Sequence, residues 1–492
     1  MFKKETLTND LFSSFVVFLI ALPLCLGVAI ASGVDPIKGI FTGIIGGLVV
    51  GLFSGSPLQI SGPSPGLAVM VLEIVGIYGA DALIPLGIVV GVFQILTYVF
   101  KVAHFFQATP PSLLKALLSG IGALIILAQV YILFDLKMSS KGLDNITGLP
   151  AIFKMIFSGN LTEIQANSGM IGGLVILILY FWNKGSHKVF ELIPGPLVSI
   201  ITASVLVSVL GWDMKMIQLP ENIFSNAFNN DYAAAFSSID LKFYPLALGL
   251  AFIASTESLL CVSAVDKMAK TTSSYNKTIL AQGIGNLLIG LVGAIPVVGV
   301  IVRSAANIEF GAKTRLSSLM LGVWLAVFLL IPAVLSYIPI PALAGLLIYT
   351  GFKLLDISHI IDYIKNRSKA TLIFFTTFLL TVGVDLLMGV IAGFVVAMFL
   401  LVLDVLKFDL IIEEKGDNKL LKFKGKLSFL DLPVLSKQLQ RQNLEDATNL
   451  EICLQEVEYL DPAISEHLEQ LKDKLESQGK TIEIRYNKLN IH

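Results

Sequence analysis

From residue 11 to residue 406 the sequence is a succession of apolar runs separated by short polar loops. The runs lie near 11–31, 36–53, 57–75, 83–100, 111–135, 169–183, 192–211, 241–263, 276–295, 297–310, 315–336, 340–352, 368–384 and 387–406. They make about fourteen segments that cross a bilayer, or half-cross it where Gly and Pro interrupt. This pattern leaves little choice of fold, because hydrocarbon offers no water to exposed N–H and C=O groups and helices satisfy their own backbones. With 55% hydrophobic and 14% charged residues and a mean hydropathy of +0.80, a soluble globular fold is excluded and a polytopic α-helical membrane protein is expected. The apolar run after Met1-Phe-Lys-Lys exceeds a signal-peptide core, so it reads as a retained first span. A net charge of −1 gives no reason to expect a nucleic-acid partner.

Two runs are broken internally. Ile295-Pro-Val-Val-Gly-Val-Ile-Val-Arg-Ser-Ala-Ala-Asn307 carries one arginine, and Gly55-Ser-Pro-Leu-Gln-Ile-Ser-Gly-Pro-Ser-Pro-Gly-Leu-Ala-Val69 again runs through Pro and Gly into a short helix. One interrupted span in each half of the chain points to a transporter binding site. The second span repeats glycine every four residues (Gly39, Gly43, Gly47, Gly51), a stripe suited to close helix packing.

If Lys3 and Lys4 are cytosolic, the alternating loops put Lys101, Lys115, Lys184, Lys188, Lys267, Lys270, Lys277, Lys313, Arg315, Lys353, Lys365, Arg367 and Lys369 on the same side. That bias predicts cytosolic N- and C-termini. Beyond about residue 408 the composition turns polar. Residues 420–429 alternate like a strand, followed by a helix over 431–440, a strand over 450–454, a helix over 463–478 and a last strand over 481–485. This predicts a transmembrane domain over 1–407 and a small cytosolic α/β domain over 408–492.

Charge inside a span is expensive, so it marks function by default. Arg303 stands where a half-helix starts, and its charge adds to the free N–H groups and positive dipole end there to favour an anion. A purely structural arginine paired with Glu257 is the alternative. Glu257 lies mid-span; burial favours its neutral form and a nearby cation its charged form, so a carboxylate balanced between them can carry a proton. Ser61 and Ser64 flank Gly62-Pro63 in the first break and offer hydroxyl donors. Glu73, Asp385 and Asp404 read as structural. Cys25, Cys261 and Cys453 lack metal-ligand spacing, and with no P-loop or dinucleotide fingerprint neither an enzyme, a cofactor nor a metal is expected.

Together these residues resemble the SulP family of sulfate-permease-like anion transporters. The resemblance is carried by Ala21-Leu-Pro-Leu-Cys-Leu-Gly-Val-Ala-Ile-Ala-Ser-Gly33, Ser61-Gly-Pro-Ser64, Ser255-Thr-Glu-Ser-Leu-Leu260, Gln282-Gly-Ile-Gly-Asn286 with Pro296, and Val302-Arg-Ser-Ala-Ala-Asn307 with Gly311. The tail is similar to the STAS domain found at SulP C-termini. The resemblance implies fourteen spans as two inverted seven-span repeats, and a core domain that slides, elevator-like, against a gate domain. It also implies an anion held between the third and tenth spans, and a homodimer. Carried over by motif, the anion site is Val28, Ser64, Gly299, Val300, Ile301 and Arg303, with Glu257 as the coupling carboxylate. In sodium-dependent bicarbonate relatives, an aspartate occupies the Glu257 position and hydroxyl residues stand where this chain has Cys261 and Ile301. That difference disfavours a cation site, which wants oxygen donors. The regulatory serine of phospho-switched STAS domains falls near Ala463.

The expected function is therefore secondary transport of a small inorganic anion, bicarbonate or sulfate, by proton symport or exchange in a bacterial plasma membrane. An anion channel and a nucleobase:proton symporter are the alternatives. The tail is expected either to cap the dimer or to bind a cytosolic protein.

Overall fold

The structure is a computed structural model that describes residues 4–103, 110–139, 142–185, 193–218, 231–366, 368–405, 408–415, 418–428, 431–432, 435–436, 439 and 449–486. By contacts the chain divides into two compact units, Met1–Gly393 and Phe394–His492.

Each apolar run holds one helix. In chain order the helices are α1 (Lys4–Ala31), α2 (Pro36–Ile45, continued through a π-helical turn, Gly46–Val50, to Phe53), α3 (Pro65–Tyr78), α4 (Leu83–Val99) and α5 (Pro111–Leu133). They continue with α6 (Gly142–Phe157), α7 (Glu163–Trp182), α8 (Gly195–Leu210), α9 (Tyr232–Ser237), α10 (Phe243–Ala269), α11 (Tyr275–Val292) and α12 (Ile301–Glu309). The last of the first unit are α13 (Leu316–Phe328), α14 (Ile340–Leu355), α15 (Ile357–Lys365), α16 (Lys369–Gly383) and α17 (Leu386–Val405), which runs into the second. Eight described helices are long and apolar enough to cross a membrane, and α3, α8, α13 and α16 are shorter apolar helices. The two broken runs each pair a two-residue strand, β1 (Ser61–Gly62) or β2 (Val298–Gly299), with the half-helix that follows it, α3 or α12. Helices α6, α9 and α15 lie in segments expected to be loops. In α15 no residue is buried, and Ile357, Ile361 and Ile364 are exposed at helical spacing.

The helices sort into two packed groups. In one, α1 packs on α2 and α13, α4 on α11, and α10 on α4, α12 and β2; in the other, α5 packs on α14 and α16, and α14 on α7. These correspond to the expected core and gate. The groups meet where α1 lies on α14 and α3 on α5. The glycine stripe of α2 is a packing device: a Cβ on Gly47 would stand 2.7 Å from the backbone of Gly322 in α13. In its π-helical turn, Gly46 faces the backbone of Ser61, so the second span also closes on β1.

The second unit is a four-stranded sheet of β3 (Phe408–Lys415), β4 (Asn418–Leu427), β5 (Asn449–Leu460) and β6 (Thr481–Tyr486), with α18 (Pro462–Glu476) linking the last two. β3 and β4 are antiparallel, whereas β4–β5 and β5–β6 are parallel. Leu421, Phe423, Ile452, Leu454, Ile464 and Leu468 form its core, and the Asp461 side chain caps α18 by accepting from Ala463 N at 2.9 Å. β3 extends the sheet by a strand beyond the sequence expectation. Of the helix expected over 431–440 half the residues lie outside the described ones, and Leu432, Leu435, Ser436 and Leu439 are helical.

Because the added methyl has no space, Gly47→Ala is expected to destabilise the first unit by about 1–3 kcal/mol. Thermal unfolding of the purified protein checks this; an unchanged midpoint contradicts the α2–α13 contact.

Candidate functional site

The two broken spans meet. β1 and β2 pair antiparallel, with Ser61 opposite Gly299 and Gly62 opposite Val298, and Val300 N extends the ladder by donating to Ile60 O at 2.9 Å. Unwound backbone inside a bilayer needs partners, and buried polar side chains supply the rest. Asn286 acts as a surrogate peptide: its Oδ1 accepts from Val297 N at 2.8 Å and its Nδ2 donates to Val297 O at 3.0 Å. Gln282, with its amide oxygen toward the ribbon, accepts from Ser61 Oγ (2.9 Å) and Gly299 N (3.2 Å) and donates to Val297 O (3.2 Å). Ser304 Oγ accepts from Ile60 N at 2.9 Å, Ser258 Oγ accepts from Gly299 N at 3.1 Å, and Gln59 donates to Ser258 O at 3.0 Å. The Gln282–Asn286 motif thus exists to hold the ribbon.

Each strand feeds a helix N-terminus. α12 has no side-chain cap, and its first helical bond is Ser304 N to Val300 O. The N–H groups of Ile301, Val302 and Arg303 precede that bond and open on the helix end, where the dipole is positive. α3 is different: Ser64 caps it, accepting from Gly66 N at 3.1 Å, and its hydroxyl donates to Glu257 Oε1. Glu257 Oε2 is buried without a partner. Gly66 permits this approach, since a Cβ there would come within 3.0 Å of the carboxylate.

Arg303 is wholly buried. Its Nη2 donates to Pro63 O at 3.2 Å and its Nη1 lies 3.5 Å from Cys25 Sγ, while Nε has no partner. A side chain on Gly62 would overlap the guanidinium and displace it from this position. Arg303 and Glu257 form no ion pair among the described residues, which removes the alternative of a purely structural pair. The arginine instead staples the first break from behind and keeps its charge between the two half-helix starts.

The structure thus brings Ser64, Glu257, Gly299, Val300 and Arg303 to one ribbon. Val28 is fully buried in α1, one turn after Cys25, and supplies apolar surface only. Ile301 turns its side chain to Leu58, Cys261, Val265 and Ala312, an apolar cluster. Cys25, Gln59, Ser258 and Ser304 also belong to the site; Ser258, beside Glu257, and Ser304, beside Arg303, carried a signal in the sequence.

A pair of half-helices abutting through their unwound starts, with a buried arginine and an uncompensated carboxyl, defines a membrane carrier of the broken-helix class. More particularly, the chain belongs to the sulfate permease family, whose model matches residues 7–377. It is an integral membrane transporter, not an enzyme. It is 29% identical over 398 residues to the putative sulfate transporter YvdB of Bacillus subtilis, covering 79% of this chain and 72% of that protein. To the bicarbonate transporter BicA of Picosynechococcus it is 27% identical, covering 80% and 70%. Among solved structures, the transmembrane domain of a cyanobacterial BicA matches with a TM-score of 0.65 at 22% identity, over 80% of this chain and 98% of that one. The murine Slc26a9 anion transporter in its inward-facing state matches with a TM-score of 0.80 at 13% identity, over 98% and 86%.

Asn286→Ala leaves Val297 N without its acceptor in a buried site, worth about 1–3 kcal/mol, while Val297 O keeps only the Gln282 amide. A markedly lower unfolding temperature is expected, with Asn286→Asp intermediate because it keeps the acceptor; wild-type stability in Asn286→Ala contradicts the surrogate-peptide role.

Proposed function

We propose that this protein is a secondary transporter of a small inorganic anion, bicarbonate or sulfate, over a membrane domain of residues 1–407 with a STAS-like cytosolic domain over 408–492. The anion sits at the open N-terminus of α12, against Gly299, Val300 and the N–H groups of Ile301 to Arg303. Val28 and Ser64 close the pocket, and the Arg303 charge sets its potential. The observation that carries this reading is the uncapped start of α12 beside a fully buried arginine that forms no ion pair among the described residues. Backbone donors and one cation suit an anion. They do not suit a nucleobase, whose edges need several matched side chains.

Proton symport follows from Glu257. An anion entering beside this carboxyl and a proton added to it offset each other's charge, so the two load together. Sodium coupling is disfavoured because Ile301 and Cys261 pack into an apolar cluster where a hard cation needs oxygen ligands. Movement is elevator-like: the α1–α4 and α10–α13 core, which carries the whole ribbon, slides against the gate. The separation of the helices into two packed groups supports that reading. Both termini are cytosolic, the membrane is a bacterial plasma membrane, and the working unit is a homodimer. The STAS-like domain stabilises the dimer or receives a cytosolic partner.

In proteoliposomes, labelled sulfate or bicarbonate uptake is expected to rise with an inward proton gradient and to ignore sodium. Arg303→Ala is expected to abolish uptake while the purified protein remains folded and dimeric. Retained uptake in Arg303→Ala sinks the site. Glu257→Gln is expected to erase the response to the proton gradient; a response that persists removes Glu257 from coupling.

A further inference from the structure

Gln129 lies in the gate helix α5 and is only 1% exposed, yet among the described residues neither its Oε1 nor its Nε2 has a hydrogen-bond partner. Gln129 lines a narrow, partly open cavity of about 10 Å³ between gate and core, whose core wall is Ala31 of α1 with Ala68, Val69 and Leu72 of α3. Asn145, also in the lining, is already matched, exchanging hydrogen bonds with both backbone groups of Ser139. A buried amide left unmatched beside small apolar side chains is costly, and it persists where a second arrangement of the protein uses it.

The geometry identifies that arrangement. Ala68 and Leu72 are four and eight residues along α3 from Ser64, which at a helical rise of 1.5 Å is roughly 6 and 12 Å. Gln129 therefore faces α3 beyond the anion cradle, toward the end of α5 at Leu133 and the end of α3 at Tyr78. In this conformation the apolar flank of α3 seals it off. Sliding the core by roughly one to two helical turns, 5–11 Å, along α3 toward Tyr78 replaces Ala68 and Leu72 by Ser64 and the half-helix start.

We infer that Gln129 is the gate-side hydrogen-bonding group of the opposite transport state: when the core has moved, its amide nitrogen donates to the anion held at the start of α12, on the side that Ser64 closes. This rests on the sliding-core reading above. Gln129 is then a positioning residue for the second state rather than part of the cradle.

The test combines Gln129→Leu with a cross-link reporter, Leu72→Cys/Ala128→Cys, two residues that line the same cavity, using single-cysteine variants as controls. In the Gln129 background, external sulfate is expected to lower the yield of the cross-link as the core leaves this position. In Gln129→Leu the yield stays high, and sulfate uptake falls by about tenfold or more, because the second state loses its partner. The unfolding temperature stays at or above that of the parent, since an unmatched amide is gone, and Gln129→Asn recovers part of the uptake. Wild-type uptake in Gln129→Leu overturns the inference, as does a loss of uptake that simply follows a lower unfolding temperature. A cross-link indifferent to sulfate in the Gln129 background, with uptake intact, sinks the sliding-core reading and this inference with it.

Discussion

A helix unwound inside a bilayer strands amide groups where water cannot reach them, and in this protein two such breaks satisfy each other. The Ser61–Gly62 and Val298–Gly299 pairing is only two residues long on each side, too short to persist without help. Asn286, Gln282, Ser258, Ser304 and Gln59 complete it with side chains from α10, α11, α12 and the approach to β1. The glycine faces of α2 follow from the same requirement, since the second span closes on α13 on one side and on β1 on the other. Once the ribbon is fixed, the starts of α3 and α12 are fixed, and so is any ligand that binds there.

The site is asymmetric in a way that gives it a direction of chemistry. α12 presents open N–H groups, whereas α3 is capped by its own serine, whose hydroxyl proton is committed to Glu257. Arg303 reaches back across to the carbonyl of Pro63, so its cation braces the first break while it charges the second. On the proposed function, anion and proton have separate seats on this one element, and its movement carries both.

Much of this was legible in the sequence, and the limits have physical causes. Apolar length alone marked every membrane helix of the first unit, because a bilayer permits nothing else. Gly and Pro marked both breaks. Helices α6, α9 and α15 read as loops because a short connecting helix lacks a spanning hydrophobic run of its own. What sequence could not supply was pairing between distant residues. Ser64 meets Glu257 across 193 positions and Arg303 meets Cys25 across 278. Nothing local to Arg303 indicates that it turns to Pro63 and Cys25 rather than to Glu257. Cys25 looked like one small buried side chain among many, and buried it is.

The central claim is that the anion rests at the abutting half-helix starts, and selenate, a sulfate analogue with anomalous scattering, locates it directly. Diffraction from crystals grown with selenate should show one anomalous peak within hydrogen-bonding reach of the backbone N–H groups of Val302 and Arg303, and that peak should vanish when excess sulfate is added. A peak elsewhere that sulfate also displaces, with nothing at the start of α12, would contradict the account.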